Sequence, residues 1–187
     1  MTLPAHSRYS MRMKALLLIL TLASPALATP AFDATPPRKA DADRTSKNGK
    51  LATDFDGVKA VVTYGKPQVK GRKIWGELVP YGEVWRAGAD EATVIAFEKD
   101  VLVEGKKLPA GQYGLFVIPT ATEWTIIFNR EPNQWGAYKY DMKKDALRVS
   151  VKAKTADNAE ELRYEKEGGT LVLHFEKLAV PVKITKA

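Results

Sequence analysis

The sequence predicts an all-β fold: an antiparallel β-sandwich of about eight or nine short strands with two long aromatic-rich loops, an open β-barrel being the alternative. Three observations predict it. From Gly57 onward, apolar residues come as short runs or in strict alternation, separated by turn residues. Helical spacing surfaces only at residues 74–79, where Trp75, Leu78 and Val79 fall at i, i+3 and i+4. No repeat of solenoid or propeller length is present.

Residues 58–64, rich in β-branched side chains, open the domain, and 93–97 and 101–103 follow as short apolar strands. Leu108-Pro109-Ala110-Gly111 is a turn into 113–118, an almost unbroken apolar run with the character of a central strand. Residues 119–123 turn the chain into 124–128, where Trp124, Ile126 and Phe128 share a face. Leu147, Val149, Val151 and Ala153 alternate with Arg148, Ser150, Lys152 and Lys154, the pattern of a half-buried strand. Leu162 and Tyr164 alternate with charges, and after Gly168-Gly169 so do Leu171, Leu173 and Phe175 with Val172, His174 and Glu176. Val180, Val182 and Ile184 close the domain, Pro181 implying an edge strand or a bulge.

The ends divide the chain into three parts: a signal peptide over 1–28, a flexible linker over 29–50 and one β-sandwich domain over 51–187. Arg8, Arg12 and Lys14 supply a positive start, residues 15–23 an apolar stretch too short to span a bilayer, and Ala26-Leu27-Ala28 a cleavage site. Cleavage after Ala28 predicts a periplasmic or secreted protein with no stable membrane insertion; Met11 is an alternative start. Residues 29–50 are rich in Ala, Pro, Asp, Lys and Arg and lack an apolar period.

The chain has no cysteine. That excludes disulfides, thiolate catalysis, cysteine-bound metals and a lipoprotein anchor, leaving stability to a core drawn from 45% hydrophobic residues. The formal charge of +7 shrinks once the leader's three basic residues are removed: 29 basic against 22 acidic becomes an excess of four. With no Lys/Arg block or known motif beside it, nucleic-acid binding is not expected.

His174 is the sole imidazole beyond the leader, His6 being the other, and Ser46 and Ser150 are the only serines there. A Ser-His-Asp hydrolase needs an exposed nucleophile beside an oriented base, which these positions do not offer, and a multi-histidine zinc centre is excluded within one chain. No metal, cofactor or catalytic residue is therefore expected. Asp54-x-Asp56-Gly57 is too short for a calcium loop.

The most informative stretch is 64–93, where Gly65, Gly71, Gly76, Gly82 and Gly88 prevent any ordinary helix or strand amid Trp75, Trp85, Tyr64 and Tyr81. A connection this long in a compact domain is usually functional. Within it Trp85 offers a flat face, Arg86 a planar donor fork and Glu91 a carboxylate to orient that fork. The competing reading is architectural, with Trp85 plugging the sandwich and Arg86–Glu91 tying the loop down. A second connection, 129–146, mixes Trp135, Tyr138 and Tyr140 with Asn129, Arg130, Asn133 and Gln134. Two such loops on one small β domain suit a ligand cleft.

The candidate contact residues are thus Trp85 and Trp135 as platforms, Tyr81 and Tyr138 beside them, and Arg86, Glu91, Asn129 and Gln134 as hydrogen-bonding groups. They point to a non-catalytic binding domain for a glycan-like or other cell-envelope ligand. The alternatives are a glycan hydrolase or lyase using Glu83, Asp90 or Glu91, and a structural or adaptor domain contacting another envelope protein.

The run from Tyr64 to Thr93, together with L-P-A-G-Q-Y-G-L-F-V-I-P, W-T-I-I-F-N and N-Q-W-G-A-Y, resembles the bacterial family called domain of unknown function 2911, over about residues 62–184. Against that family's usual pattern Ala87 stands in place of Thr, Asp90 in place of Asn and Glu77 in place of Gly. The resemblance implies an exported β-rich protein and carries no catalytic residue or cofactor with it.

Overall fold

The computed structural model describes Met1 and residues 36–187. The signal-peptide reading, Met1 apart, and the linker up to residue 35 lie outside the described residues. Ten strands form the domain: β1 (Asn48–Phe55), β2 (Val58–Gly65), β3 (Thr93–Phe97), β4 (Val101–Val103), β5 (Lys106–Leu108), β6 (Gly111–Ile118), β7 (Glu123–Asn129), β8 (Asp145–Lys152), β9 (Lys154–Glu167) and β10 (Thr170–Lys186). They build a six-stranded sheet in the order β1-β2-β3-β6-β7-β8 and a four-stranded sheet in the order β5-β4-β10-β9. Every pairing is antiparallel, and the sheets stack as a sandwich that does not close into a barrel.

The turns explain the order. Asp56-Gly57 and Glu104-Gly105 each place two consecutive residues at positive φ, the geometry of two-residue type I′ hairpins that match strand twist. They join β1 to β2 and β4 to β5, and Asp54 Oδ1 accepts from the Gly57 N–H at 2.7 Å. Gly168-Gly169 closes the long β9–β10 hairpin, and register shifts around Glu176 bend it until Ile184 N–H donates to the Gly169 carbonyl at 2.8 Å. Pro181 falls between the stretch of β10 paired to β9, which ends at Ala179, and the stretch paired to β4, which starts at Ile184. Its missing N–H therefore breaks neither of those two ladders, and β10 runs inside its sheet rather than at an edge.

Leu115, Val117, Ile126 and Phe128 of the large sheet face Leu162, Tyr164, Leu171, Leu173 and Phe175 of the small one. Trp124, Phe55, Phe97, Phe116, Phe128 and Phe175 are wholly enclosed, each such ring removing on the order of 150–250 Å² from water. The alternate residues Phe116 and Ile127 point to the outer face of the large sheet. There they make a smaller cluster with Ala92, covered by Val84, Ile118, Ala137 and Tyr140. That outer cluster is the seat of both long loops.

Three features depart from expectation. Residues 74–79 form a turn rather than a helix, because Gly76 sits at φ +83° and its N–H returns to the Val79 carbonyl at 2.9 Å. Strand β1 occupies Asn48–Phe55, half of it polar, ahead of the expected opening of the domain at 58. Residues 36–47, assigned by composition to the linker, lie against the domain through Arg38 and Arg44. Among the described residues no helix is long and apolar enough to cross a membrane.

Candidate functional site

The first long loop, 66–92, is laid across both sheets. The Val69 N–H donates to the Glu160 carbonyl and Leu162 N–H to the Pro67 carbonyl, so residues 67–69 cover the outer edge of β9. Further on, Trp85 exchanges both backbone bonds with Val117, at 2.8 Å each, extending the row of β3 alongside β6. Strand parity then decides the side chains. Trp85 points inward, stacked on Phe175 (centroids 6.3 Å) and edge-on to Trp75 (5.9 Å), while Val84 turns to the outer cluster.

Beyond Trp85 the chain makes a tight reversal. Ala87 and Asp90 adopt positive φ (50° and 62°), and the buried Ala87 carbonyl accepts from Thr93 Oγ1 at 3.0 Å and Tyr164 Oη at 2.9 Å. A Cβ on Gly65 would collide with the Ala89 carbonyl, so glycine there permits the close passage of the reversal over the end of β2. Burial raises the Tyr164 phenol well above its ordinary value, keeping it a donor to that carbonyl.

The second loop, 130–144, meets the first edge to edge. Glu91 and Trp135 form an isolated bridge, Ala92 N–H donates to the Gln134 carbonyl and Gly136 N–H to the Asp90 carbonyl, both at 2.9 Å. Asn129 is fully buried and braces this loop: its amide donates to the Asp141 carbonyl (2.9 Å) and Asp145 Oδ1 (2.8 Å), and its Oδ1 accepts from Glu131 N–H. Asp145 also receives Tyr140 Oη (2.7 Å) and Arg148 Nε (2.6 Å). Burial, followed by the bond to Asp145, pushes the Tyr140 phenol up to about 12.

Residues 36–45 complete the arrangement. Arg44, its side chain almost fully enclosed, reaches Asp90 Oδ2 at 2.8 Å and lies 3.0 Å from Glu91 Oε2. Arg38 Nη2 lies 3.2 Å from the same Glu91 oxygen, and its Nη1 donates to the Ala92 carbonyl at 3.1 Å. Glu91 Oε2 is thus within ion-pair reach of two guanidinium groups yet off the line of their N–H bonds. Burial alone would raise the Glu91 carboxyl. Hydrogen bonds from the Lys39 and Glu91 amides and the charges of Arg38 and Arg44 outweigh it and hold the group below its ordinary value.

Two recesses flank this junction, with Trp135 and Glu91 on the rim of both. One, of about 210 Å³, is lined by Pro36, Pro37, Arg38 and residues 132–134 as well. The other, of about 230 Å³, adds Lys39, Asp43, Arg44, Thr45 and Asp90. The Trp135 indole is half exposed, with Lys39 Nζ 5.4 Å from the ring centroid. Gln134 is buried, donating to the Glu131 carbonyl at 2.7 Å while its Oε1 has no protein donor among the described residues.

The structure therefore brings together Glu91, Gln134 and Trp135 and separates the rest. Trp85 belongs to the inter-sheet packing and borders neither recess. Arg86 is not oriented by Glu91, whose carboxylate is taken by Arg38 and Arg44. Its Nε is buried without a hydrogen-bond partner among the described residues, and burial lowers the guanidinium below its ordinary value. Asn129 is a loop brace. Tyr81 and Tyr138 are exposed outside both recesses, the Tyr138 ring lying close over Gly136. The residues that sequence reasoning missed are Arg38, Lys39 and Arg44. The cations scattered through 36–44 are the only signal they carry, opposite Asp90-Glu91 in a distant loop.

Neither the curated proteins nor the solved structures contain a match to this chain. A family model described as "Protein of unknown function (DUF2911)" matches residues 46–184, from just before β1 almost to the end of β10. With its ten strands inside or bordering that span, the chain belongs to the DUF2911 family.

Proposed function

We propose that this chain is an exported, non-catalytic binding domain whose ligand, a glycan or a comparable cell-envelope molecule, rests on Trp135 at the junction of the two loops. The observation that carries the reading is the half-exposed indole held between a mainly apolar, proline-lined recess and a polar one, on a β support. Sugar rings present flat C–H faces and peripheral hydroxyls. An indole face with a carboxylate (Glu91), an amide oxygen lacking a donor (Gln134 Oε1) and mobile or fixed cations (Lys39, Arg38) complements both. The recesses are shallow, which suits a chain crossing the surface more than a small molecule engulfed by it.

Electrostatics favour binding over hydrolysis. A glycosidase needs one carboxylic acid kept protonated near neutrality. Glu91 is shifted the opposite way, Asp90 is held against Arg44, and Glu83 lies exposed outside both recesses.

Isothermal titration of the purified chain with soluble peptidoglycan fragments and neutral oligosaccharides tests the proposal. Saturable binding that weakens about tenfold in Trp135→Ala, roughly the worth of one stacked ring, supports it. Binding unchanged by that substitution, or none by the wild-type chain across the panel, overturns it.

A further inference from the structure

On the opposite sheet, far in sequence from the loops, the outer face of the β9–β10 hairpin gathers Glu165, Glu167 and His174. We propose that these three side chains form a divalent-cation site of the Zn²⁺ class, separate from the Trp135 junction. Strand parity places them together. Leu162 and Tyr164 point into the core, so Arg163, Glu165 and Glu167 point out; in register, His174 lies opposite Arg163 and Val172 opposite Glu165. The imidazole thus sits diagonal to Glu165, and the Gly168-Gly169 turn brings Glu167 into reach.

The distances match coordination. His174 Nε2 is 3.1 Å from Glu167 Oε1 and 3.5 Å from Glu165 Oε2, and one oxygen or nitrogen from each residue lies within 4.8 Å of the others. Ligand atoms bound about 2.0–2.2 Å from a tetrahedral zinc stand roughly 3.3–3.5 Å apart. A neutral imidazole with two carboxylates supplies the borderline nitrogen and oxygen donors that such ions take.

Arg163 Nε holds Glu165 Oε1 at 2.8 Å, fixing that carboxylate so that its second oxygen faces the imidazole, as an outer-shell partner does. Glu167 has no Lys or Arg in ion-pair range among the described residues; the imidazole is its one recorded partner. The His174 side chain is mostly enclosed, which restrains the ring, yet it borders an open recess of about 530 Å³ shared with Thr155, Ala156, Asp157 and Arg163. Three protein ligands leave a fourth position to solvent or to an incoming donor.

The test titrates the full chain, stripped with chelator, with ZnCl₂ alone by isothermal calorimetry. One saturable site per chain in the micromolar range is expected, with the His174 ring resonances shifting as it fills. His174→Ala and Glu167→Gln should each weaken it at least about tenfold, whereas His6→Ala leaves it unchanged. Equal melting temperatures of the variants in chelator confirm that the site was altered without unfolding, and zinc should raise the wild-type and His6→Ala values more than those of His174→Ala and Glu167→Gln. Failure to saturate below millimolar zinc, binding that survives His174→Ala, or binding lost in His6→Ala overturns the proposal. None of these outcomes bears on the Trp135 junction.

Discussion

Trp85 and Trp135 lie in loops of nearly the same chemistry, yet the fold turns one toward the core and leaves the other half exposed. Trp85 is tied by both backbone groups to Val117 on β6, a strand with the second sheet beneath it, so parity drives the indole onto Phe175 and Trp75. Trp135 pairs instead with Glu91, a residue of another loop, and its ring stays half exposed. What an aromatic residue does here is decided by the element its backbone is hydrogen-bonded to, not by the polar residues around it.

Truncating the inward ring should have the largest effect. Trp85→Ala removes the stack on Phe175 and opens a void beside Trp75. It should cost about 3 kcal/mol, at the low end for a large aromatic because Trp85 is only partly enclosed. Urea denaturation measures it. A loss below about 1 kcal/mol would mean that the loop, rather than the sandwich, owns this ring.

Next in size is the anchor between the terminal segment and the outward ring's loop. Arg44→Ala strips Asp90 of its partner, leaves Glu91 and Asn48 Oδ1 with Arg38 alone, and frees the Ser46 carbonyl, now bonded by Arg44 at 2.5 Å. Removing one side of a mostly buried pair costs several kcal/mol, discounted here because Asp90 is about a third exposed; about 2 kcal/mol is expected. The same substitution should make residues 36–45 the first site of limited proteolysis while the β-sandwich resists.

How far the sequence showed this division depends on which forces write themselves locally. Alternation in 147–152 and 171–175 marks core faces directly, and β8 and β10 appear where that pattern runs. β1 escapes the sequence reading although Asp56-Gly57 is a strong hairpin signal, because Asn48–Phe55 is half polar and edge strands need only one apolar face. The anchoring of 36–47 was invisible because two arginines finding two acids in a loop far along the chain leave no periodic trace. The parity that buries Trp85 was equally hidden, since it depends on a pairing with Val117 across the chain. Trp135's exposure, by contrast, accords with its run of polar neighbours.

Acidification sharpens the comparison more gently than Arg44→Ala. Glu91 and the exposed Asp41, which accepts from the Asn48 amide, both have carboxyl groups held below their ordinary values of 4.5 and 3.8. A depressed folded-state value means stability that is complete above those pH values and is lost as pH falls through the lower folded-state ones. Amide hydrogen exchange should therefore show residues 36–45 opening below about pH 4 while β6 and β7 stay protected. In Glu91→Gln that segment should exchange faster at neutral pH and respond less to acid. A segment equally protected at pH 3 and pH 7 would show that Arg38 and Arg44 hold it without the carboxylates.

The smallest effect should belong to the outward ring. Trp135→Ala removes an indole that is half in water and whose recorded ring contact is one flexible lysine, Lys39. Its backbone bridge to Glu91, and the Gly136–Asp90 bond beside it, need no side chain and survive the change. The expected shift in stability is within about 0.5 kcal/mol, the range of ordinary surface substitutions, against about 3 kcal/mol for Trp85. That gap makes Trp135 informative: a large exposed aromatic that contributes almost nothing to folding must owe its presence to something outside the fold. A stability loss near that of Trp85→Ala would remove this inference and with it the contrast between the two loops.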